Sequence, residues 1–534
     1  MNVLVPLPVV LPLLAGGASI TLARWPWLQR VLSVVVLAAV VAASAALLVV
    51  VDREGTVAVQ LGAWAAPFGI SLVADRLSAL LLLVSSCVTL AVLVYAVGQG
   101  VADARDDSPN RLPVAVFHPV YLVLAAGVSL AFLTGDLFNL FVAFEVMLCA
   151  SYVLITLGGQ AAQVRAGMTY VTVSLLASVL FVTAVGLLYA ATGTVNLADL
   201  AVRLQDTPPG LRLALGLFLL VVFGVKAAIF PLFFWLPDSY PTAPAPVTAV
   251  FAGLLTKVGV YAIIRTQTLL FPDELGGATG PVLLVIAALT MVVGILGAIA
   301  QDDIKRILSF TIVSHIGYMV FGLGLYSVAG LTGAVLYTVH HIVVQTTLFL
   351  ASGLVERRMA TGALHELSGL LHTAPVVALL FLLPALNLAG IPPFSGFVAK
   401  LALVQAGVAD GTGAAYALVA ASVVTSLLTL YAMMRIWGGV FWGTPVEPQA
   451  DPDRADALEV GTARVPRLMT AVTAATVVLG VAGLVAVAGP LYGVASRAAD
   501  DLVQRTPYTR AVLGDAGAAA GAGPGSGARE PVAT

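Results

Sequence analysis

The chain has 534 residues, of which 60% are hydrophobic and only 10% are charged, whereas an ordinary soluble domain has about 25% charged residues. Its mean hydropathy is +1.03 and its formal net charge is −2. This composition excludes a soluble globular domain, and the near-zero charge argues against a protein that binds nucleic acid.

About 14 apolar segments follow one another along the chain, and a bilayer core requires roughly 20 such residues for each crossing. The segments begin near Val3, Val31, Leu72, Phe117, Leu137, Ala166, Leu211, Ala243, Gly280, Ile304, Leu331, Pro375, Gly413 and Leu468. They lack the short alternating pattern of barrel strands, and only helices or closed barrels can cross lipid. The sequence therefore predicts an all-α integral membrane protein with about 14 transmembrane helices.

The basic residues of the loops predict how these helices are oriented. Loops after odd-numbered segments are the richer in arginine and lysine, as at Arg105 and Arg111 or at Lys305 and Arg306. The odd-numbered loops should therefore face the cytoplasm, with both termini outside the bacterial cell membrane. The tail from residue 493 contains the run GAAAGAGPGSGARE close to its end, which is typical of a low-complexity, disordered segment.

Two segments contain helix breakers. One reads FGVKAAIFPLFFWLP and contains Pro231; the other reads LNLAGIPPFSGFVAK and contains Gly390, Pro392 and Pro393. Proline removes a backbone donor and clashes with the preceding turn, and interrupted helices often mark the ion path of a transporter. The Gly-Ile-Pro-Pro run predicts a broken helix, whereas Pro231 alone is also compatible with a simple kink.

Ionisable residues within apolar segments are costly and usually functional. The chain has 21 arginines and four lysines, and three of those lysines, Lys226, Lys257 and Lys400, lie in apolar segments. A buried lysine can release its proton, whereas an arginine stays charged. Glu145 lies deep in another apolar run and is a candidate partner for Lys226, with a static ion pair as the alternative. These residues predict a path for protons.

Histidines extend this series. His315 and His340 lie in apolar segments between Lys257 and Lys400 in the sequence, and His341 is a further candidate. Because histidine titrates near neutral pH and carries two ring nitrogens, it can pass a proton from one partner to another. Each histidine is also compatible with a buried residue that has only a structural role.

Two aspartates are accessory candidates, and no metal or cofactor site is expected. Asp75 and Asp136 lie near the starts of segments, where a helix cap is an equally good interpretation. Cys87 and Cys149 lie apart in apolar runs, and the histidines lack the spacing of zinc ligands. No phosphate-binding glycine motif is present, so an enzyme with a nucleotide or redox cofactor is not supported.

Three motifs resemble one known family. WLPDSYPTAPAPVTAVFAGLLTKVGVY from Trp235, QDDIKRILSFTIVSHIGYM from Gln301 and LAGIPPFSGFVAK from Leu388 resemble the antiporter-like membrane subunits shared by respiratory complex I and the Mrp cation/proton antiporters. Within that family the chain is most similar to the D-type subunits, on the segments LGAWAAPFGISLVADRLSALLLL from Leu61 and TGDLFNLFVAFEVML from Thr134.

The resemblance implies 14 helices that include two inverted five-helix repeats, each with a broken helix. The implied division is 1–116 for helices 1–3, 117–270 for the first repeat with helices 4–8, 278–442 for the second repeat with helices 9–13, 443–467 for a cytoplasmic loop, 468–492 for helix 14 and 493–534 for the tail. These boundaries are expectations for the structure.

The resemblance also implies a role for each matching ionisable residue. In path order these are a paired switch of Glu145 and Lys226, a central relay at Lys257, a hydrophilic axis continued by His315 and His340, and an end point at Lys400. Gln345 stands where some relatives have lysine, so that step would fall here to His340, His341 or water.

The function implied is exchange of Na⁺ for H⁺ by a hetero-oligomer with A-, B-, C-, E-, F- and G-type subunits, in which this chain conducts protons. It would be a secondary transporter subunit without a cofactor. A proton-pumping subunit of a complex I-type or membrane hydrogenase complex stays open, because its local chemistry is the same. A non-conducting scaffold is less favoured because it leaves three buried lysines unexplained.

Overall fold

A computed structural model describes residues 3–100, 114–157, 159–445 and 465–521. Within these ranges, 12 helices are long and apolar enough to cross a membrane. Two shorter apolar helices, Leu7–Thr21 and Pro375–Ala389, coincide with two further predicted segments. The prediction of an all-α membrane protein is confirmed. Most of the predicted loop 443–467 lies outside the described residues.

The helices are labelled in chain order. They are α1 Leu7–Thr21, α2 Pro26–Glu54, α3 Arg76–Gln99, α4 Val114–Leu133, α5 Leu137–Thr156, α6 Ala161–Thr192, α7 Leu197–Arg203, α8 Pro209–Ala227, α9 Trp235–Ser239, α10 Ala245–Leu270, α11 Pro272–Ile299, α12 Ile304–Gly324, α13 Val328–Met359, α14 Leu370–Thr373, α15 Pro375–Ala389, α16 Ser395–Asp410, α17 Gly413–Val440, α18 Arg467–Ala486, α19 Ala488–Gln504 and α20 Thr506–Gly521. A small antiparallel hairpin, β1 Val57–Gln60 and β2 Ser71–Ala74, joins α2 to α3. The sequence had not predicted this hairpin.

Ion pairs mark the two ends of the helix bundle. At one end, Lys305 pairs with Glu356 at 2.9 Å, so α12 begins beside the last turns of α13. At the other end, Arg76 at the start of α3 pairs with Asp52 of α2 at 3.3 Å and with Asp501 of α19 at 2.7 Å. These ends are called the Lys305 end and the Arg76 end. The basic loops after odd-numbered segments lead to a prediction that the Lys305 end faces the cytoplasm.

The centre of the bundle is formed by α10 and α13, whose most apolar stretches are wholly buried, whereas α2 and α17 are largely exposed. Glycines let these central helices pack closely. A Cβ on Gly259 of α10 would lie 2.6 Å from the backbone nitrogen of Ala227 in α8, and one on Gly253 would clash with Thr346 Oγ1 in α13. Small residues at such contacts are typical of membrane helix packing. The buried lysines and histidines lie on these central helices and their neighbours.

The tail differs from its prediction. Residues 493–521, which were expected to be disordered, belong to α19 and α20. The polar face of α19 is bound to the bundle, because Arg497 pairs with Asp52 at 2.8 Å and Asp501 pairs with Arg76. These partners are more than 400 positions apart in the chain, and local composition carries no sign of them.

Candidate functional site

The first cluster joins Glu145 on α5, Ser178 on α6 and Lys226 on α8. The Ser178 hydroxyl donates to the Glu145 carboxylate, and the Lys226 ammonium lies 3.4 Å from Ser178 Oγ. It also donates to the backbone oxygen of Ser174 at 3.2 Å. Glu145 and Lys226 are both described, and no nitrogen–oxygen contact of 4.0 Å or less joins them. The direct ion pair expected from the sequence is therefore corrected to a pair bridged by a serine hydroxyl, because α6 supplies Ser178 between them.

The end of α8 positions Lys226. Ala228 follows with φ +59°, in the left-handed region, which stops the helix. Pro231 then prevents the helix from resuming at once, and Trp235 Nε1 of α9 donates back to the oxygen of Val225 at 3.0 Å. Lys226 thus lies in the last turn of α8, where the partial negative charge of the helix end favours a cation. A helix interruption is present where Pro231 suggested one.

A small cavity adjoins Lys226. It has a volume of about 30 Å³ and is lined by Lys226, Ser174, Tyr170 and Trp235, among others. This volume can hold about one water molecule. Phe144 also lines this cavity, and the centroid of its ring lies 5.6 Å from Lys226 Nζ. The ammonium of Lys226 is therefore surrounded by aromatic rings, by the Ser174 backbone oxygen and the Ser178 hydroxyl, and by a cavity large enough for water.

Lys257 on α10 is the most deeply buried lysine, with no exposed surface. A π-turn at Phe251–Leu255 precedes it, and its ammonium donates to the backbone oxygen of Ala252 within that turn at 2.5 Å. Such π-turns interrupt regular helix hydrogen bonding and occur frequently at functional sites. Across the described ranges, no carboxylate lies within ion-pair distance of Lys257.

A central cluster lies beyond Lys257. His315 on α12 and His341 on α13 face each other, with ring centroids 5.3 Å apart. The Tyr337 hydroxyl lies 2.6 Å from His315 Nδ1, and Thr429 Oγ1 lies 3.3 Å from His315 Nε2. Neither ring nitrogen of His341 has a hydrogen-bond partner in the described chain, although the side chain is fully buried. Water is the usual partner of such buried polar atoms.

One face of α13 carries this central cluster. Tyr337, His341 and Gln345 are spaced four residues apart, so they line one side of the helix. Gln345 Nε2 donates to the backbone oxygen of Leu308 on α12 at 2.8 Å. Sequence reasoning missed Tyr337, although this spacing was available as a signal.

His340 points in a different direction from His341, because successive residues of an α-helix are about 100° apart. Its Nδ1 lies 3.0 Å from Ser395 Oγ at the start of α16. Its ring also contacts Tyr337, with the centroids 5.6 Å apart. The expected continuation from His315 to His340 is therefore not direct: the rings beside His315 are those of Tyr318, Tyr337 and His341.

Lys400 on α16 lies beside the second helix interruption. Its ammonium donates to the backbone oxygens of Leu388 and Ala389, both at 3.0 Å, where α15 ends. Gly390 follows with φ +88°, and a Cβ there would lie 2.8 Å from Lys400 Cδ. Only glycine fits both the conformation and the space. The ring of Tyr318 lies 5.1 Å from Lys400 Nζ.

Asn387 is a further polar residue that sequence reasoning missed. Its Oδ1 accepts from Gly396 N at 2.9 Å and from Ser395 Oγ at 3.2 Å, and its Nδ2 donates to the oxygen of Gly480 on α18 at 3.0 Å. Asn387 therefore joins both halves of the broken helix, whose connection contains Pro392 and Pro393, to α18. An asparagine three residues before Gly390 is a visible, though weak, signal in the sequence.

The two accessory aspartates cap helices. Asp75 accepts from Ser78 N at 2.9 Å at the start of α3 and forms a buried ion pair with Arg265 at 2.6 Å. Asp136 accepts from Asn139 N at 2.8 Å at the start of α5, and burial raises the pKa of its carboxyl group. Both geometries match the helix-cap interpretation that the sequence left open.

Known proteins of one family are similar to this chain. The family described as "NADH:quinone oxidoreductase/Mrp antiporter, TM" matches residues 134–429. The D-type subunit of the Na(+)/H(+) antiporter of Alkalihalophilus pseudofirmus is 42% identical over 514 residues, which cover 96% of this chain and all of that protein. The protein of the same name from Bacillus subtilis is 39% identical over 448 residues, covering 84% and 88% of the two chains.

Two solved structures share the fold. A chain of the Mrp complex from Dietzia sp. DQ12-45-1b superposes with a TM-score of 0.87 at 35% identity, covering 96% of this chain and 100% of that one. A chain of the membrane-bound sulfane sulfur reductase, an archaeal respiratory membrane complex, superposes with a TM-score of 0.83 at 24% identity and the same coverage. The second likeness bears on the fold alone.

Proposed function

The chain belongs to the family of D-type subunits of Mrp-type Na⁺/H⁺ antiporters, a branch of the complex I-like antiporter family, and from this premise we propose that it conducts the protons of the exchange. It does so as one member of a hetero-oligomer with A-, B-, C-, E-, F- and G-type partners. The complex lies in the bacterial plasma membrane, with the Lys305 end in the cytoplasm and both termini outside.

One observation carries this proposal. The three lysines inside the bundle, Lys226, Lys257 and Lys400, are bound by backbone oxygens and hydroxyls, and none forms a direct ion pair in the described chain. A neutral oxygen favours the charged form of lysine less than a carboxylate does. Each ammonium is therefore held in place without being locked in its charged state, as a proton relay requires.

The serine bridge suggests how the relay begins. With Glu145 ionised, Lys226 faces a negative charge across the Ser178 hydroxyl, and its own charge is stabilised. Protonation of Glu145 removes that charge, so Lys226 more readily loses its proton or moves it toward the adjoining cavity. Because α8 and α10 touch at Gly259, a change of charge at Lys226 acts on Lys257 through a medium of low dielectric constant.

The central cluster suggests how the proton continues. Water bound at the unpartnered nitrogens of His341 would connect Lys257 to the ring of His315, which Tyr337 orients through its hydroxyl. Beyond His315, water would carry the proton to Lys400, past the stacked rings of Tyr337 and Tyr318, whose centroids are 4.9 Å apart. The Tyr318 ring lies 5.1 Å from Lys400 Nζ. Each transfer moves one proton between neighbouring groups and leaves the donor ready for the next proton.

The experiment measures exchange in everted membrane vesicles from cells that express this chain with its partner subunits. A fluorescent dye reports an imposed proton gradient, and NaCl is then added. We expect Na⁺ to collapse the gradient with the wild-type chain. We expect no collapse with Lys257→Ala or with Lys257→Arg, because arginine keeps the positive charge but does not release a proton.

Lys305→Arg is the matched control. Lys305 is the fourth lysine, and it forms an ion pair with Glu356 that arginine can also make. This variant should exchange at the wild-type rate. Full exchange by Lys257→Arg, at equal protein level, would show that a fixed charge suffices and would contradict the relay. No response of the wild-type complex to Na⁺ would contradict the proposed exchange itself.

A further inference from the structure

A cavity at the Arg76 end is separate from the lysine and histidine clusters, and the relay does not use it. Its volume is about 430 Å³, within the roughly 300–1,000 Å³ of pockets that bind small molecules. It lies between the hairpin loop, residues 61–70, the start of α5 and the end of α6. The lining includes one acidic side chain, Asp136, and three aromatic side chains, Phe68, Phe138 and Tyr189.

Backbone hydrogen bonds hold the walls of this cavity together. Gly135 N donates to Ser71 O at 2.9 Å, which fixes the hairpin to the start of α5. Leu137 N donates to Val195 O at 2.9 Å, which fixes the connection between α6 and α7 to the same place. The cavity is therefore formed by the folded chain itself, and a ligand that enters it pays little for ordering its surroundings.

Asp136 provides a negative charge without a positive partner. One oxygen accepts from Asn139 N at 2.8 Å, and no lysine, arginine or histidine of the described ranges lies within ion-pair distance of this carboxylate. The residue is only 6% exposed, so bulk water compensates its charge poorly. A positive charge in the cavity would stabilise the ionised carboxylate.

The aromatic side chains indicate which kind of cation fits. Phe68 is 91% exposed, and Phe138 and Tyr189 are about half exposed, so their rings are available to a ligand. Organic ammonium ions bind to aromatic rings through their charge and their alkyl groups. The remaining lining is largely apolar, as at Val182. A small metal ion would lose its water there and find few oxygens to replace it.

We propose that this cavity binds an organic ammonium ion that carries apolar groups. Its positive charge lies beside Asp136, and its apolar groups pack against Phe68, Phe138 and Tyr189. The ligand is a free ion that enters from the aqueous phase at the Arg76 end. Binding breaks no bond and moves no proton, so the site goes beyond the proposed proton conduction and does not depend on it.

The test is equilibrium dialysis of the purified complex against radiolabelled benzyltrimethylammonium, which joins a quaternary ammonium group to an aromatic ring. We expect saturable binding to the wild-type complex. Asp136→Asn keeps an oxygen for the helix cap but removes the charge, and it should weaken binding about tenfold or more. Asp206→Asn is the matched control, because Asp206 is an exposed carboxylate at the same end that does not line the cavity. It should bind the ion as the wild type does.

A second pair of variants tests the aromatic side chains with little risk to folding. Phe68 and Trp64 are both exposed residues of the hairpin loop, but Trp64 does not line the cavity. Phe68→Ser should weaken binding about threefold, and Trp64→Ser should not change it. Absence of saturable binding to the wild type, or an affinity that Asp136→Asn or Phe68→Ser leaves unchanged, would overturn the site. Proton conduction is judged separately, by Lys257→Arg in the dye assay.

Discussion

The ion pair between Asp75 and Arg265 should hold the bundle together rather than carry protons, and Asp75→Asn tests this. The atoms Asp75 Oδ2 and Arg265 Nη2 are 2.6 Å apart, and each side chain is only 4% exposed. Removing one partner of a buried ion pair leaves an unpaired charge and costs about 3–5 kcal/mol. Asparagine keeps an oxygen that can accept from Ser78 N, so the helix cap, worth about 1 kcal/mol, is retained.

A second ion pair offers a matched control. Arg306 and Asp238 are 2.8 Å apart, but their side chains are 44% and 56% exposed. Exposed pairs at such distances contribute about 0.2–1 kcal/mol. Asp238→Asn makes the same chemical change at nearly the same distance, so burial is the main difference. The expected loss of stability is at least about threefold larger for Asp75→Asn.

Both variants can be compared by heating the detergent-solubilised complex and measuring how much of the chain stays soluble. We expect a clear fall in the midpoint temperature for Asp75→Asn and a small change for Asp238→Asn. Exchange per assembled molecule should persist in both. If Asp75→Asn melts like Asp238→Asn but abolishes exchange, the carboxylate carries protons and the structural explanation is wrong.

Three further substitutions test the two clusters and the packing of α10 against α8, and two of them have a control substitution beside them. Ser178→Ala should slow exchange about tenfold or more in the dye assay, because hydrogen bonds to charged groups contribute about 1.5–3 kcal/mol. Ser178→Thr keeps a hydroxyl group at this position and should exchange at close to the wild-type rate. Tyr337→Phe should slow exchange about tenfold while leaving the amount of complex unchanged, since only the hydroxyl at His315 is lost. Gly259→Val should deplete the chain from membranes on immunoblots, because its Cβ would clash with α8, whereas Gly186→Val, which has open space, should not.

The membrane-spanning architecture was readable from the sequence because lipid imposes a simple requirement. Each crossing needs about 20 apolar residues in a helix, and the described helices fall on the predicted segments. The hairpin at 57–74 and the helices of the tail were missed. Their strand pairing and their ion pairs, such as Arg497 with Asp52, join distant parts of the chain, and a local pattern contains no record of such contacts.

The sequence predicted which ionisable residues form the candidate site, but it did not predict which side chains they contact. The scarcity of lysine pointed to Lys226, Lys257 and Lys400. In the structure Lys257 and Lys400 are buried, and Lys226 is half-buried. Ser178 was missed because its position between Glu145 and Lys226 depends on how three helices pack. His340 and His341 point in different directions because successive residues of an α-helix are rotated by about 100°. Counting from Tyr337 assigns His341, and not His340, to the central face.

The buried arginine and the lysines of this bundle have different partners: the arginine has a carboxylate, and the lysines have backbone oxygens and hydroxyls. This contrast is the strongest physical reason to regard the lysines as titrating groups. Arg265 is as buried as Lys257 and Lys400, and Asp75 neutralises it at 2.6 Å. Lys257 and Lys400 instead donate to backbone oxygens where a helix is irregular, at the π-turn and at the end of α15. A buried arginine without a carboxylate would keep an uncompensated charge, because it cannot lose its proton. A lysine can become neutral in the same surroundings. Replacing either lysine with arginine should therefore stop proton transfer even where the folded complex survives.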